Sequence, residues 1–157
     1  MQRINRILND PDFKTYMDKN ARAETDRLYC RHDLAHALDT ARIAYILSLE
    51  KRLELEKELI YAAALVHDIG RWMEYERGDD HAEASAGLAG PLLLRCGFSE
   101  TESREITDAV KSHRTAGGAP ALSAILYRAD KLSRNCVGCA SIKTCKRFLN
   151  GEKPYFE

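Results

Sequence analysis

Residues Leu59-Ile60-Tyr61-Ala62-Ala63-Ala64-Leu65-Val66-His67-Asp68-Ile69-Gly70-Arg71 limit what this chain can become more than any other stretch. A helix that is apolar all round belongs in a core. This one carries a histidine and an aspartate into that buried setting, which is costly unless something satisfies them. Buried charges are usually paired or bound to metal, and a His/Asp pair suits a divalent transition metal. A histidine satisfied at a helix C-terminus beside a capping aspartate is the alternative, and the dipeptide alone does not separate the two.

The rest of the chain reads as helices. Asp10-Pro11 is a cap followed by proline at the first helical position, opening a helix to about Arg27. A second helix spans about Asp33 to Lys51, with His36, Thr40, Ile43 and Leu47 on one face, and a third spans roughly Glu54 to His67. Arg71 to Gly78 reads as a loop. Beyond Asp79-Asp80, a stripe of His81, Ala84, Ser85, Leu88 and Leu92 marks a helix that Gly90-Pro91 should kink or break, with Gly97 as its stop. Ser99 to Glu102 forms a capping box ahead of Ile106, Ala109, Val110 and His113 at helical spacing. Gly117-Gly118-Ala119-Pro120 is a turn, and Pro120 starts a helix whose stripe is Leu122, Ile125, Leu126, Ala129 and Asp130. A short helix at Ser141 to Leu149 would close the chain. No stretch sustains a period of two, so the expected fold class is all-α.

The expected organisation is a helical segment at 1–27 packed on a metal-binding helical domain at 28–134, with a cysteine-containing tail at 135–157. The 24 basic and 24 acidic residues balance to zero, which gives no field to attract nucleic acid or an anionic membrane. No apolar run is long enough to span a bilayer and the N-terminus lacks a signal-peptide core, so a cytoplasmic location is expected. The five cysteines are then expected to be thiols or metal ligands.

The polar residues fall where they should not. His36, His81, His113 and Asp130 each sit on the apolar stripe of a different helix, and His67-Asp68 ends another. One such histidine is ordinarily a satisfied core residue. Four of the five histidines with two aspartates are hard to bury separately, and a shared cation resolves them together.

The ordered set His36, His67-Asp68 and Asp130 resembles the HD superfamily of metal-dependent phosphohydrolases. The segments His36 to Ala44, Ala63 to Arg71 and Leu126 to Leu132 carry the resemblance, which covers about residues 28 to 134. It implies a single HD-domain, phosphodiesterase-like helical bundle in which His36, His67, Asp68 and Asp130 hold one metal ion, with Asp68 and His67 central to catalysis. His81 and His113 resemble the further ligands of the dinuclear branch, which includes bacterial dinucleoside tetraphosphate hydrolases. They would bind a second ion bridged by Asp68, or one of them faces a bound phosphate instead. The glycine-tyrosine-proline segment and adjacent histidine pair of the cyclic-di-nucleotide phosphodiesterases have no counterpart here.

A mixed His/carboxylate set suits iron, manganese, nickel, cobalt or zinc. The expected function is hydrolysis of a phosphate ester or anhydride of a nucleotide or similar small molecule by metal-activated water. Arg71, Lys131 and Arg134, with Arg114 behind, are candidates for holding substrate phosphates, and His32 for lining the pocket or donating a proton. Each is also readable as surface. Trp72 is a pocket wall or core residue. The tail's Cys136, Cys139 and Cys145, spaced C-x2-C-x5-C, are compatible with zinc, an iron–sulfur site, a redox disulfide or plain thiols, with Cys96, Cys30 or an external group completing a site. The alternative function is a metal-bound regulatory or ligand-binding module without turnover, sensing redox state through those cysteines. A homodimer is compatible with either reading.

Overall fold

Side-chain caps start four of the long helices where the sequence supplies them. In the computed structural model, which describes residues 1–114 and 120–154, Asp10 accepts from the backbone N–H groups of Asp12 and Phe13 and opens α2 (Pro11–Ala23). Asp33 accepts from His36 N–H to open α3 (Leu34–Glu50), and Asp80 accepts from Ala82 and Glu83 to open α6 (His81–Arg95). The Ser99/Glu102 capping box opens α7 (Glu100–Ser112). Caps of this kind contribute about 1 kcal/mol each. At the other end of α6, Gly97 takes φ 93°, a left-handed turn that stops the helix without the strain a Cβ would bring.

The described residues form eight α-helices and no strand, so the fold is all-α. The remaining helices are α1 (Gln2–Asn9), α4 (Lys57–Val66), α5 (Arg71–Arg77) and α8 (Ala121–Leu132). The centre is α4, where every residue from Leu59 to Val66 except Tyr61 is buried, and it packs on α1, α3, α6, α7 and α8. Around it, α3 pairs with α4 and α6 pairs with α7, while α8 lies on α3 and α7. Helices running out and back in this way bring the start of α3, the end of α4, the start of α6, the end of α7 and the last turn of α8 together. His36, His67, His81, His113 and Asp130 sit at those five ends.

Three local expectations change. Arg71 to Arg77 is a helix, not a loop: its residues lack proline and glycine, Trp72 is buried against α2, and Gly78 at φ 75° ends it. Helix α6 runs through Pro91 without a break. The carbonyl that loses its hydrogen bond belongs to Gly87, which is exposed to solvent, and burial of Ala86, Ala89, Leu92 and Leu93 on both sides holds one axis. The expected 141–149 helix is two 3-10 turns, Ile142–Thr144 and Lys146–Phe148.

Boundaries also tighten, with α2 stopping at Ala23 and α4 starting at Lys57, while the N-terminal segment contains α1 as a separate helix. Arg3 on α1 ties it to the domain through Glu56, Glu58 and Glu102. Of the expected turn before α8, Gly117, Gly118 and Ala119 lie outside the described residues. Among the described residues no helix is long and apolar enough to cross a membrane.

Candidate metal centre

All five histidines of the chain converge on one carboxylate. Asp68 Oδ2 stands 3.0 Å from His67 Nε2, 3.9 Å from His36 Nε2 and 3.9 Å from His32 Nε2. Its other oxygen, Oδ1, stands 3.5 Å from His81 Nε2 and 3.8 Å from His113 Nε2. Asp130 closes the first side, with Oδ1 3.3 Å from His36 Nε2 and 4.0 Å from His67 Nε2. Two donor groups result, His36/His67/Asp68/Asp130 and Asp68/His81/His113, in each of which one atom per residue lies within 4.8 Å of the others.

The outer nitrogens explain why the inner ones aim this way. His67 Nδ1–H donates to Ala64 O at 2.7 Å and His113 Nδ1–H to Val110 O, because each ring folds back over the last turn of its own helix. His32 donates through Nδ1 to Glu24 and His81 to Glu74, while His36 Nδ1 meets Ser133 Oγ at 3.2 Å. In every case Nδ1 is held by a partner and Nε2 faces the centre, the arrangement by which a second layer of hydrogen bonds orients metal-binding imidazoles.

The centre leaves buried atoms without partners: His36 Nε2, His67 Nε2 and Asp68 Oδ1 make no hydrogen bond. His67 Nε2 lies 3.0 Å from Asp68 Oδ2 but outside hydrogen-bonding geometry. Orphaned buried polar atoms are rare and each carries a desolvation cost. A mixed imidazole/carboxylate donor set of this size fits a divalent transition metal and accounts for those atoms.

Electrostatics sharpen the point. Burial opposes ionisation of Asp68, but His67, His32 and His113 outweigh it and hold the carboxyl well below its usual range. Asp130 is likewise held far down against burial by His36, His67, Arg134 and Lys131. Burial opposes charge on His67, yet Asp68 and Asp130 lift it to about 9, while burial and then the His67 charge push His113 down to about 4. Burial, reinforced by Arg71, lowers His81. Two ionised carboxylates therefore meet imidazoles that cannot all protonate.

The basic residues singled out in the sequence lie at the rim. Arg134 grips both oxygens of Asp130 at 3.0 Å, and Lys131 Nζ reaches Asp130 Oδ2 at 2.8 Å. Arg71 Nη1 lies 2.7 Å from His81 Nδ1, 3.1 Å from its Nε2 and 2.9 Å from Glu74. Arg114 instead pairs with Asp80, away from the centre. Trp72 belongs to the core side: its backbone N–H donates to Asn20 Oδ1, and Lys19 Nζ covers its ring at 3.9 Å.

Three residues that support the site carry no signal in the sequence pattern, and a fourth, Ser85, shows there only as a member of the α6 stripe. Glu24, 2% exposed, accepts from the His32 backbone and ring and from Tyr75 O–H; these hydrogen bonds outweigh the burial that opposes its ionisation, lowering it to about 2. Asn20 bridges α2 to the Asp68 carbonyl and to Trp72 N–H. Ser85 Oγ accepts from Gly70 N–H at 2.9 Å, and Glu74 fixes His81.

A family model described as HD domain matches residues 33–135. A protein of Clostridium beijerinckii, described as uncharacterized, is 40% identical over 145 residues, 92% of each chain. Ribonuclease Y of Borreliella burgdorferi is 29% identical over 94% of this chain, which spans only 30% of that longer protein. YueE of Bacillus subtilis, provisionally named a phosphohydrolase, is 32% identical over 63% of this chain and 61% of its own length. Among solved structures, a predicted HD superfamily hydrolase from an uncultured Thermotogales bacterium superimposes with a TM-score of 0.63 at 28% identity, covering 92% of this chain and 78% of that one. The chain belongs to the HD-domain family, and its buried His/Asp cluster is compatible with divalent metal.

Proposed function

We propose that this chain is a metal-dependent phosphohydrolase that cleaves a phosphate ester or anhydride of a nucleotide or similar small molecule, with a dinuclear centre. The observation that carries the reading is Asp68, whose two oxygens face two different sets of histidines. His36, His67, Asp68 and Asp130 would hold one ion and His81, His113 and Asp68 the other. Divalent cations bound there supply Lewis acidity and bring a water's pKa towards neutrality.

The chain's own residues do the rest. Arg134, Lys131 and Arg71 form a cationic rim that binds phosphate oxygens, and their present partners, Asp130 and Glu74, keep them oriented towards the centre. His32 presents Nε2 to Asp68, with its proton fixed on Nδ1 by Glu24, so it orients a water or a leaving oxygen from the side opposite His81 and His113. Burial of Asp68, His32, His67, His81 and His113 limits the access of bulk water. The HD hydrolase and phosphohydrolase names of relatives support this class, and the balanced charge supports a small substrate over RNA. Dinucleoside polyphosphates, nucleoside monophosphates and alarmones are the classes to screen.

Anaerobically purified protein is expected to contain about two transition-metal ions per chain and to hydrolyse members of a phosphomonoester, phosphodiester and nucleotide panel. Asp68→Ala should lose both ions and all turnover. Metal without hydrolysis across the panel would refute the enzyme reading, and full turnover by Asp68→Ala would refute the centre.

A further inference from the structure

The tail after α8 folds without a core of its own. None of residues 135–154 is buried, and the segment contains only two 3-10 turns. Irregular segments of this length hold a single shape when something staples them. Cys136, Cys139 and Cys145 are among the few half-buried side chains there, and Cys30, on the segment between α2 and α3, is half-buried as well. All four are free thiols.

Hydrogen bonds bring the two segments that carry these cysteines against each other from opposite ends of the chain. Ser141 Oγ donates to Leu28 O at 2.6 Å, and Tyr29 O–H donates to Thr144 O at 3.2 Å, so the tail lies against the segment carrying Cys30. Within the tail, Cys139 N–H donates to Cys136 O and Cys145 N–H to Ile142 O, each at 3.3 Å, forming two tight turns that each present a cysteine. Burial pushes the Cys136 thiol up, with Cys30 and Cys145 adding to the rise and Arg147 and Arg134 opposing it. Cys96 is excluded: it is buried at the end of α6, within range of Asp10, Arg95 and Arg6.

We infer that Cys30, Cys136, Cys139 and Cys145 form a four-thiolate metal site that staples the tail to the segment preceding His32, separate from the histidine centre. The C-x2-C turn plus two further cysteines is a ligand complement for tetrahedral zinc or for an iron–sulfur cluster. Among the described residues, no three of these sulfurs lie within 4.8 Å of one another. A single ion with Zn–S bonds of about 2.3 Å would have to draw them closer. A [4Fe–4S] cluster, which takes each thiolate at its own iron, spreads its ligands more widely and needs a smaller adjustment. Either would brace the active end from two sides, because Cys30 is two residues before His32, and the tail's Arg147 Nη1 holds Lys131 O at 3.1 Å.

The test uses the full chain purified anaerobically, with elemental analysis, acid-labile sulfide, and alkylation of native protein counted by intact mass. The four thiols should resist alkylation until a chelator or acid is added. Cys30→Ser and Cys139→Ser should each lose the same metal, a ligand loss lowering affinity by 10-fold or more, while Cys96→Ala retains it. Iron with labile sulfide identifies a cluster; zinc without sulfide identifies a mononuclear site. Asp68→Ala should leave this metal in place, so failure of the histidine centre and failure of the cysteine site are told apart. Metal content equal in wild type and both serine variants would overturn the inference. So would rapid alkylation of all four thiols irrespective of chelator, or a disulfide between any two of them in the anaerobic protein.

Discussion

Gly70→Ala is the substitution that most directly probes how the fold builds the site. Gly70 has φ −94°, a conformation open to any residue, so the demand on it is space. A Cβ there would stand 2.6 Å from Ser85 N, 2.8 Å from the Ala84 carbonyl carbon and 3.0 Å from Ala84 Cβ. Two of these are backbone atoms of α6, so the helix must retreat by about 1 Å to restore ordinary contact distances. Overpacking of this kind costs about 1–3 kcal/mol. The retreat also stretches the Gly70 N–H to Ser85 Oγ hydrogen bond, now 2.9 Å, worth about 0.5–1.5 kcal/mol. Together the loss is about 2–4 kcal/mol, which in a domain of this size lowers Tm by about 5–15 °C. His81 starts the same helix, so its 3.5 Å approach to Asp68 Oδ1 is lost in proportion, and metal bound on that side should fall before metal bound by His36 and Asp130. Gly87→Ala is the control: nothing lies within 4 Å of its added Cβ, and alanine in a helix gains up to about 1 kcal/mol over glycine. Differential scanning calorimetry and elemental analysis of the two variants decide it. A Gly70→Ala protein that melts with or above wild type and keeps all its metal would refute the close-approach argument.

The remaining predictions address the centre, its support and the N-terminal clasp. His81→Ala and His113→Ala should each lower metal from about two ions per chain towards one while His36→Ala affects the other ion; unchanged stoichiometry in both would make the centre mononuclear. Glu24→Ala leaves the His32 backbone N–H, the His32 ring and the Tyr75 hydroxyl without their acceptor, and should destabilise by about 3–5 kcal/mol; an unchanged urea midpoint at equal m-value would count against the buried contact. Glu58 is lowered from 4.5 to about 2 because hydrogen bonds from the N-terminus and Arg3 outweigh burial. Its stabilisation is therefore complete above pH 4.5 and fades as pH falls towards 2. Arg3→Ala should flatten that acid loss in chemical unfolding between pH 5 and 2, and identical slopes would show that the clasp does not contribute.

Much of this was legible in the sequence because it depends on local periodicity. Capping residues Asp10, Asp33, Asp80 and Ser99 act within one turn of their own position, so their effect is written locally. The histidines and aspartates betrayed themselves by lying on apolar stripes. What stayed hidden depends on distant partners. Glu24 lies just past the end of α2 and looks like a surface residue until the segment before α3 and helix α5 bring His32 and Tyr75 to it. The α5 helix was masked because seven residues between two glycines mimic a loop, and only burial of Trp72 against α2 makes the helix pay. Pro91 misled for the same reason: its cost is fixed locally, but the burial that outweighs it comes from α4 and α7.

The geometry around Asp68 also supports a cation over a set of satisfied core histidines. With Nδ1–H committed to outward partners, a neutral imidazole offers only its Nε2 lone pair inwards, towards carboxylate oxygens that are themselves lone-pair donors. Such pairs repel unless something positive lies between them. A proton on His67 relieves its own 3.0 Å approach and no other. The approaches at 3.5, 3.8 and 3.9 Å are too long for hydrogen bonds, yet they suit neighbouring ligands that share an ion at about 2.0–2.2 Å from each. Helix ends add to the demand: α4, α7 and α8 direct their partially negative carboxyl ends here, against the amino ends of only α3 and α6. Arg134 and Lys131 answer Asp130, but no lysine or arginine hydrogen-bonds Asp68 among the described residues. Bound cations would give Asp68 the partners that Arg134 and Lys131 give Asp130, and replacing Asp68 should therefore release both ions.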